Sequence, residues 1–171
     1  TLAVVQSFSV SILQAMYHVT FEAATFTLTA YMLCAAAGMF VGGFVAARWQ
    51  KYTDRVVAGC MLMGAFLMAV CGSGWLEADT TMFVLATTGL TIGVGGPSRD
   101  MMIKKATPKG ATGRVYGMVY SGLDVGFAVS PLVFGVFMDH SWFGATLLGA
   151  AFVLLLSVWV ALGVGQRTAA T

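Results

Sequence analysis

One aspartate, Asp124, stands alone in an otherwise charge-free run from 115 to 138. It lies ten residues past Arg114, about 15 Å along a helix at ~1.5 Å per residue, and so near the middle of a ~30 Å hydrocarbon layer. An ionised carboxylate at that depth costs several kcal/mol, so it must face a water-filled cavity, meet a partner or accept a proton. Desolvation favours the neutral form, and a carboxyl that moves between the two forms can take up and release protons. The alternative is a neutral Asp bonded to Ser or backbone groups at a helix seam. At helical spacing Asp124 shares a face with Gly117, Ser121, Ala128, Pro131 and Gly135. Other runs carry comparable stripes: Ser7, Ser11, Gln14 and His18 in one, Thr80, Thr87, Thr91 and Ser98 in another. In a third run, Tyr31 accompanies a row of small residues.

These stripes need elements to hold them, and composition says which. Of 171 residues, 58% are hydrophobic and 9% charged, with a mean hydropathy of +0.86. Soluble domains carry roughly 25% charge, so a water-facing surface cannot be built here and lipid is the expected solvent. With ~20 residues per crossing the chain has room for six spans and no soluble catalytic domain. Charge-free runs cover 1 to 21, 23 to 47, 56 to 76, 80 to 98, 115 to 138 apart from Asp124, and 140 to 166. Backbone in lipid must satisfy its own hydrogen bonds, and the ~10-residue alternation of a barrel is absent, so the runs predict six helices. We place them near 1 to 19, 24 to 48, 55 to 74, 80 to 104, 112 to 138 and 143 to 165. The expected class is an all-α, polytopic membrane protein of six transmembrane helices. The clusters between runs alternate: Glu22; Arg48, Lys51, Asp54 and Arg55; Glu77 and Asp79; Arg99 through Arg114; Asp139; Arg167. Every Lys and Arg falls on one side, which the positive-inside rule makes cytoplasmic. Both ends of the chain are then expected in the cytoplasm, in a plasma (inner) membrane.

A net charge of +2 is explained by this anchoring, and no aromatic-interleaved basic stripe points to nucleic acid. Cys34, Cys60 and Cys71 lie within apolar runs without metal-ligand spacing, and the eleven methionines read as apolar gap fillers. No metal or cofactor is expected. Cys71-Gly72-Ser73-Gly74 lacks the leading glycine of an intramembrane serine-protease motif, no GxGD surrounds Asp124, and Gly93-Val94-Gly95-Gly96 lacks the strand of a nucleotide fingerprint. An enzyme is therefore not expected. Residues 1 to 21 lack the basic start and cleavage site of a signal peptide, and the absent basic flank predicts a first helix that is cut short. Small residues at four-residue spacing, Ala35, Gly38, Gly42 and Ala46 in the second run and Gly122, Gly126 and Ser130 in the fifth, predict close helix seams. Gly93 to Pro97, and separately Pro131, predict distorted helix.

Shifting the chain by 92 residues aligns Phe40 to Trp49 (FVGGFVAARW) with Leu132 to Trp142 (LVFGVFMDHSW), Gly43 upon Gly135. The match relates spans that cross in opposite directions, as in a three-plus-three inverted repeat. The chain resembles the C-terminal six-helix half of a major facilitator superfamily transporter over essentially its whole length. The family's loop signature Gly-x-x-x-Asp-Arg-x-Gly-Arg-Arg is similar to Gly43 through Tyr52, where Gly43, Arg48 and Lys51 match while Ala47 and Gln50 replace the acid and the second glycine. Pro97-Ser98-Arg99-Asp100, Thr107-Pro108, Arg114 through Gly117, Gly126, Pro131, Gly135 and Asp139 resemble the tenth and eleventh helices of members that handle small organic solutes.

That resemblance implies alternating-access transport of a small-molecule substrate across the lipid bilayer, with proton coupling. It implies a missing N-terminal half of the same polypeptide as the other wall of the pathway. It places Asp124, Ser121, Gln14, Ser11, Thr87, Thr91 and Tyr31 along a proton-coupling and substrate cavity lined by spans 1, 2, 4 and 5. It assigns Gly43, Arg48, Lys51, Arg99, Asp100 and Arg114 to a cytoplasmic gate. For Arg99 and Asp100 an interfacial salt bridge with snorkelling competes with a gating contact to Arg48, Lys51 or Arg114. His18, one turn before Glu22, reads as an interfacial histidine. The rival to a transporter is a self-contained six-helix scaffold or non-transporting assembly subunit.

Overall fold

A computed structural model describes residues 1–108 and 110–169, and the side chains of these apart from Lys51 and residues 164–169. Six α-helices follow one another: α1 Leu2–Tyr17, α2 Phe21–Arg48, α3 Thr53–Gly72, α4 Ala78–Ala106, α5 Thr112–Asp139 and α6 Phe143–Ala169. A single 3₁₀ turn, Gln50–Tyr52, joins α2 to α3. Local chemistry sets the boundaries. His18 takes the left-handed conformation, φ 52°, and its N–H closes α1 onto the Gln14 carbonyl. The Thr20 hydroxyl accepts from the Ala23 N–H at 3.3 Å and starts α2. Thr107 is extended ahead of Pro108, which ends α4.

Among the described residues, four helices are long and apolar enough to cross a membrane: α2, α3, α5 and the Phe143–Gly163 part of α6. α1 has 16 residues and is short for a crossing. α4 has the length, at 29 residues. Its apolarity is diluted by Thr80, Thr81, Thr87, Thr88, Thr91, its glycines and Pro97. The expected distortion around Gly93 to Pro97 does not break α4, which is one helix through Pro97. The residue that the proline ring would press on, four positions back, is Gly93, and the helix there is clamped to α2.

The tightest packing joins α2 and α4, which run parallel. A Cβ built on Gly38 would meet the Leu90 carbonyl oxygen, and one on Gly42 the Val94 carbonyl oxygen. Reciprocally, Gly89 lies against the Tyr31 carbonyl and Gly93 against that of Ala35. The expected small-residue seam of α2 is therefore real, and it is answered by glycines on α4. Such contact brings backbones close enough for dispersion to hold helices together where no hydrophobic drive exists. α3 runs antiparallel to both α4 and α6. A Cβ built on Gly64 would touch Ile92 and Leu154, one on Gly95 would lie 3.2 Å from Cys60 Cβ, and one on Gly144 would come within 2.6 Å of the Gly72 carbonyl oxygen.

α5 differs from the rest. Phe134 is its only buried residue among those described, and 6% of its apolar window is buried, against 39% in α3 and α6. The expected seam at Gly122 and Gly126 is not formed within this chain, since nothing lies within 4 Å of either Cβ position. Phe134 anchors α5, with its ring 2.8 Å from the Gly149 Cβ position and edge-on to Phe137 at 5.8 Å. Phe134→Ala should therefore destabilise the protein by about 3 kcal/mol. A thermal melt in detergent checks this, and an unchanged midpoint would mean that α5 is held elsewhere.

The two ends of the bundle differ in charge. At one end Lys105 Nζ donates to the Gln50 carbonyl and, at 3.4 Å, to Thr53 Oγ1, while Tyr116 Oη donates to the Asp100 carbonyl at 3.2 Å. Arg48, Arg55, Lys104 and Arg114 lie in the end turns of helices at this same end. At the other end Met16 approaches Gly74, and Glu22, Glu77, Asp79 and Asp139 sit at helix termini. Exposed Trp49 and Tyr52 stand at the basic end, and exposed Trp142 and Trp75, the latter 91% accessible, at the acidic end. That is the placement of aromatic belts at two membrane–water interfaces.

Candidate functional site

The 100° step per residue orients α5. Tyr116, Val119, Leu123, Ser130, Phe134 and Phe137 are half-buried or buried on its inner side, and Asp124 lies about a quarter-turn away from them, on a face where Gly117, Ser121 and Ala128 are exposed and Pro131 and Gly135, nearer the acidic end, are half-buried. Asp124 is exposed, and among the described residues no side chain or backbone group bonds to it. Around it the surface is small and open: Gly117, Gly122 and Gly126 have nothing within 4 Å of their Cβ positions. Ser121 is exposed, its hydroxyl donating to the Met118 carbonyl at 2.9 Å. The rival picture of Asp124 as a bonded group at a seam finds no seam within the described chain.

On α1 the same division holds. Val5, Ser9, Ile12 and Leu13 are buried, whereas Ser7, Ser11 and His18 are exposed and Gln14 is half-buried. On α4, Thr87 and Thr91 are half-buried, with hydroxyls donating to Val84 O at 2.8 Å and Thr87 O at 3.3 Å. Those bonds spend each hydroxyl proton on the helix but leave oxygen lone pairs that can accept from a solute.

Two residues of the expected stripes turn inward. Tyr31 is wholly buried behind the α2–α4 glycine seam, where its carbonyl meets Gly89, so it is not on an open face. Ser98 is likewise fully buried. Neither hydroxyl has a hydrogen-bond partner among the described residues. Small neighbours at four-residue spacing placed Tyr31 beside a seam, and the seam itself then covers it.

At the basic end Arg99 and Asp100 pair with each other, with Nη2 to Oδ1 at 3.3 Å and accessibilities of 35% and 40%. This is the sole ion pair among the described residues. Arg48 and Arg114 are exposed, Gly43 has open space around it, and the Lys51 side chain lies outside the described residues. Two groups not singled out from the sequence make the contacts here: Lys105, which ties α4 to the α2–α3 turn, and Tyr116, which ties α5 to α4. Lys105 is one of a row of lysines in sequence, with nothing to distinguish it from its neighbours. Among the described residues no three His, Cys, Asp or Glu side chains gather as metal ligands.

Chemically, the uncovered faces of α1 and α5 offer one carboxylate, hydroxyls and an amide on a small-residue surface, with no charge partner among the described residues. The family model described as Major Facilitator Superfamily matches residues 2–170. No curated protein and no solved structure matches the chain.

Proposed function

Because the chain belongs to the Major Facilitator Superfamily, a family of membrane solute transporters, we propose that it is the C-terminal half of a proton-coupled transporter of a small organic solute. All six helices cross the bilayer in this reading, α4 and the short α1 included, because the polar faces that lower their apolarity front water rather than lipid. Both chain ends lie in the cytoplasm, on the side of the basic end. The other half of the polypeptide covers the open faces of α1 and α5. Solute passes between the halves as they rock about a midplane site, with Ser11, Gln14, Thr87, Thr91 and Ser121 as polar contacts.

The observation that carries the reading is Asp124: a carboxylate in mid-helix, without a partner among the described residues, on a face of glycine and serine that they leave open. A self-contained scaffold would leave the charge facing hydrocarbon at a cost of several kcal/mol, and a transport pathway gives it water and a proton to exchange. Wetting tests this directly. In the full-length protein, Ser11→Cys, Ser121→Cys and Ala128→Cys should react with a water-soluble maleimide, and Phe66→Cys and Phe152→Cys on the apolar flank should not. Equal labelling of both groups would overturn it.

A further inference from the structure

A cavity of about 230 Å³ opens between α3, α4 and α6, with no α5 residue in its lining. Its walls are Val57 and Met61 from α3, Met102 from α4, and Val160 and Ala161 from α6, with Arg99 as its one charged residue. Ser157 also borders it, but its hydroxyl is bonded to the Val153 carbonyl at 2.9 Å, so the lining is apolar apart from the guanidinium. From the geometry we infer that this groove holds an anionic phospholipid, one acyl chain against the apolar wall and the phosphate on Arg99. The inference rests on the bundle lying in a bilayer but not on which solute it moves or on Asp124.

Four observations favour this occupant over a water-soluble one. The helices that form the groove have apolar outer surfaces: Val160 on its wall is 68% accessible, and Leu62, Met63 and Phe66 of α3 and Phe152, Leu156 and Trp159 of α6 are exposed on other faces of the same two helices. Trp159, 84% accessible and next in sequence to the groove residue Val160, lies 16 residues into α6, about 24 Å from the acidic end at ~1.5 Å per residue, close to headgroup level at the basic end. Arg99 is also incompletely neutralised. Both of its bonds, from Nε and Nη2, go to the single oxygen Asp100 Oδ1 at 3.3 Å, longer than the ~2.7–2.9 Å of a strong charge-assisted contact. A guanidinium has five N–H donors, and a phosphate can take two of those remaining as a parallel pair. Lys104 and Lys105, further along α4 at the same end, add positive potential that draws anionic headgroups to it.

Asp100 then acts as the built-in competitor for Arg99, which makes the test two-sided. The full-length protein is placed in nanodiscs of equal phosphatidylglycerol and phosphatidylcholine, and retained lipids are counted by native mass spectrometry. Wild type should hold one phosphatidylglycerol in preference to phosphatidylcholine. Arg99→Gln should lower that preference about tenfold, and Asp100→Asn should raise it, the scale of one charge-assisted hydrogen bond. Ala161→Trp, which fills the groove and leaves every charge in place, should abolish retention. Loss in Arg99→Gln alone could reflect misfolding, but a gain in Asp100→Asn could not. Retention unchanged in Asp100→Asn, or surviving in Ala161→Trp, would overturn the inference, the second by showing adsorption to the basic end without groove insertion.

Discussion

Asp124→Asn should abolish uphill accumulation of solute while leaving solute exchange across the membrane intact. The amide keeps the shape and the neutral hydrogen-bonding character of a protonated carboxyl but has no proton to give up, so half of the coupled cycle stays available. A membrane potential of 100 mV acting on one carried proton supplies about 2.3 kcal/mol, enough for roughly a 50-fold gradient. In the variant that gradient should fall to unity. Labelled solutes of several classes, screened first for uptake by the full-length protein, give the substrate. Accumulation and counterflow then separate coupling from binding. Loss of both activities would make Asp124 a binding or folding group. Retention of both would remove it from the mechanism.

The second large effect is expected at the α2–α4 seam. Gly93→Val puts a branched side chain where the Ala35 carbonyl already stands, and Gly38→Leu does the same against Leu90. The obstruction is backbone, so a rotamer change cannot relieve it, and the helices must part. We expect a loss of about 3 kcal/mol, at the upper end of overpacking penalties, which is a large share of the ~5–15 kcal/mol that holds a typical protein folded. Yield of monodisperse protein and its melting midpoint in detergent report it. Gly43→Ala, with open space around it, should behave like wild type. Gly126→Val separates two pictures of α5. It meets nothing within this chain, so destabilisation of the full-length protein would mean that the other half packs onto that face.

Much of the helical layout was readable from the charges alone, because the cost of placing them in hydrocarbon pins them to helix ends. Arg48 closes α2, Glu77 caps α4, and Asp139 closes α5. The remaining shifts have local causes. Thr20 begins α2 a few residues before 24, and the left-handed His18 stops α1 short of 19. Packing partners were harder to read. Gly38 and Gly42 on α2 have the same four-residue spacing as Gly122 and Gly126 on α5, yet the first pair is sealed and the second open. Spacing records only that a backbone can be approached, and the second surface that approaches it is on another helix.

The candidate site divides along the same line. Ser7, Ser11, Ser121 and Asp124 lie on uncovered faces, as a 3.6-residue period predicts once the buried side of each helix is known. Tyr31 and Ser98 keep that period but face inward, because whether a polar residue is covered depends on a neighbour that its own helix does not encode. The resemblance of the Gly43 to Tyr52 loop extends to its placement at the basic end, beside the Lys105 contact to Gln50. Gly43 and Gly135, aligned by the internal echo, both have open space at their Cβ positions.

Solute-driven proton flux in proteoliposomes tests the central claim most directly. The full-length protein is reconstituted with a pH-sensitive dye inside, and the solute found by uptake screening is added outside. Wild type should move protons in step with solute, and Asp124→Asn should move none while still exchanging solute. If solute crosses without proton movement in wild type, or if Asp124→Asn carries the same proton flux, then Asp124 is not the coupling group.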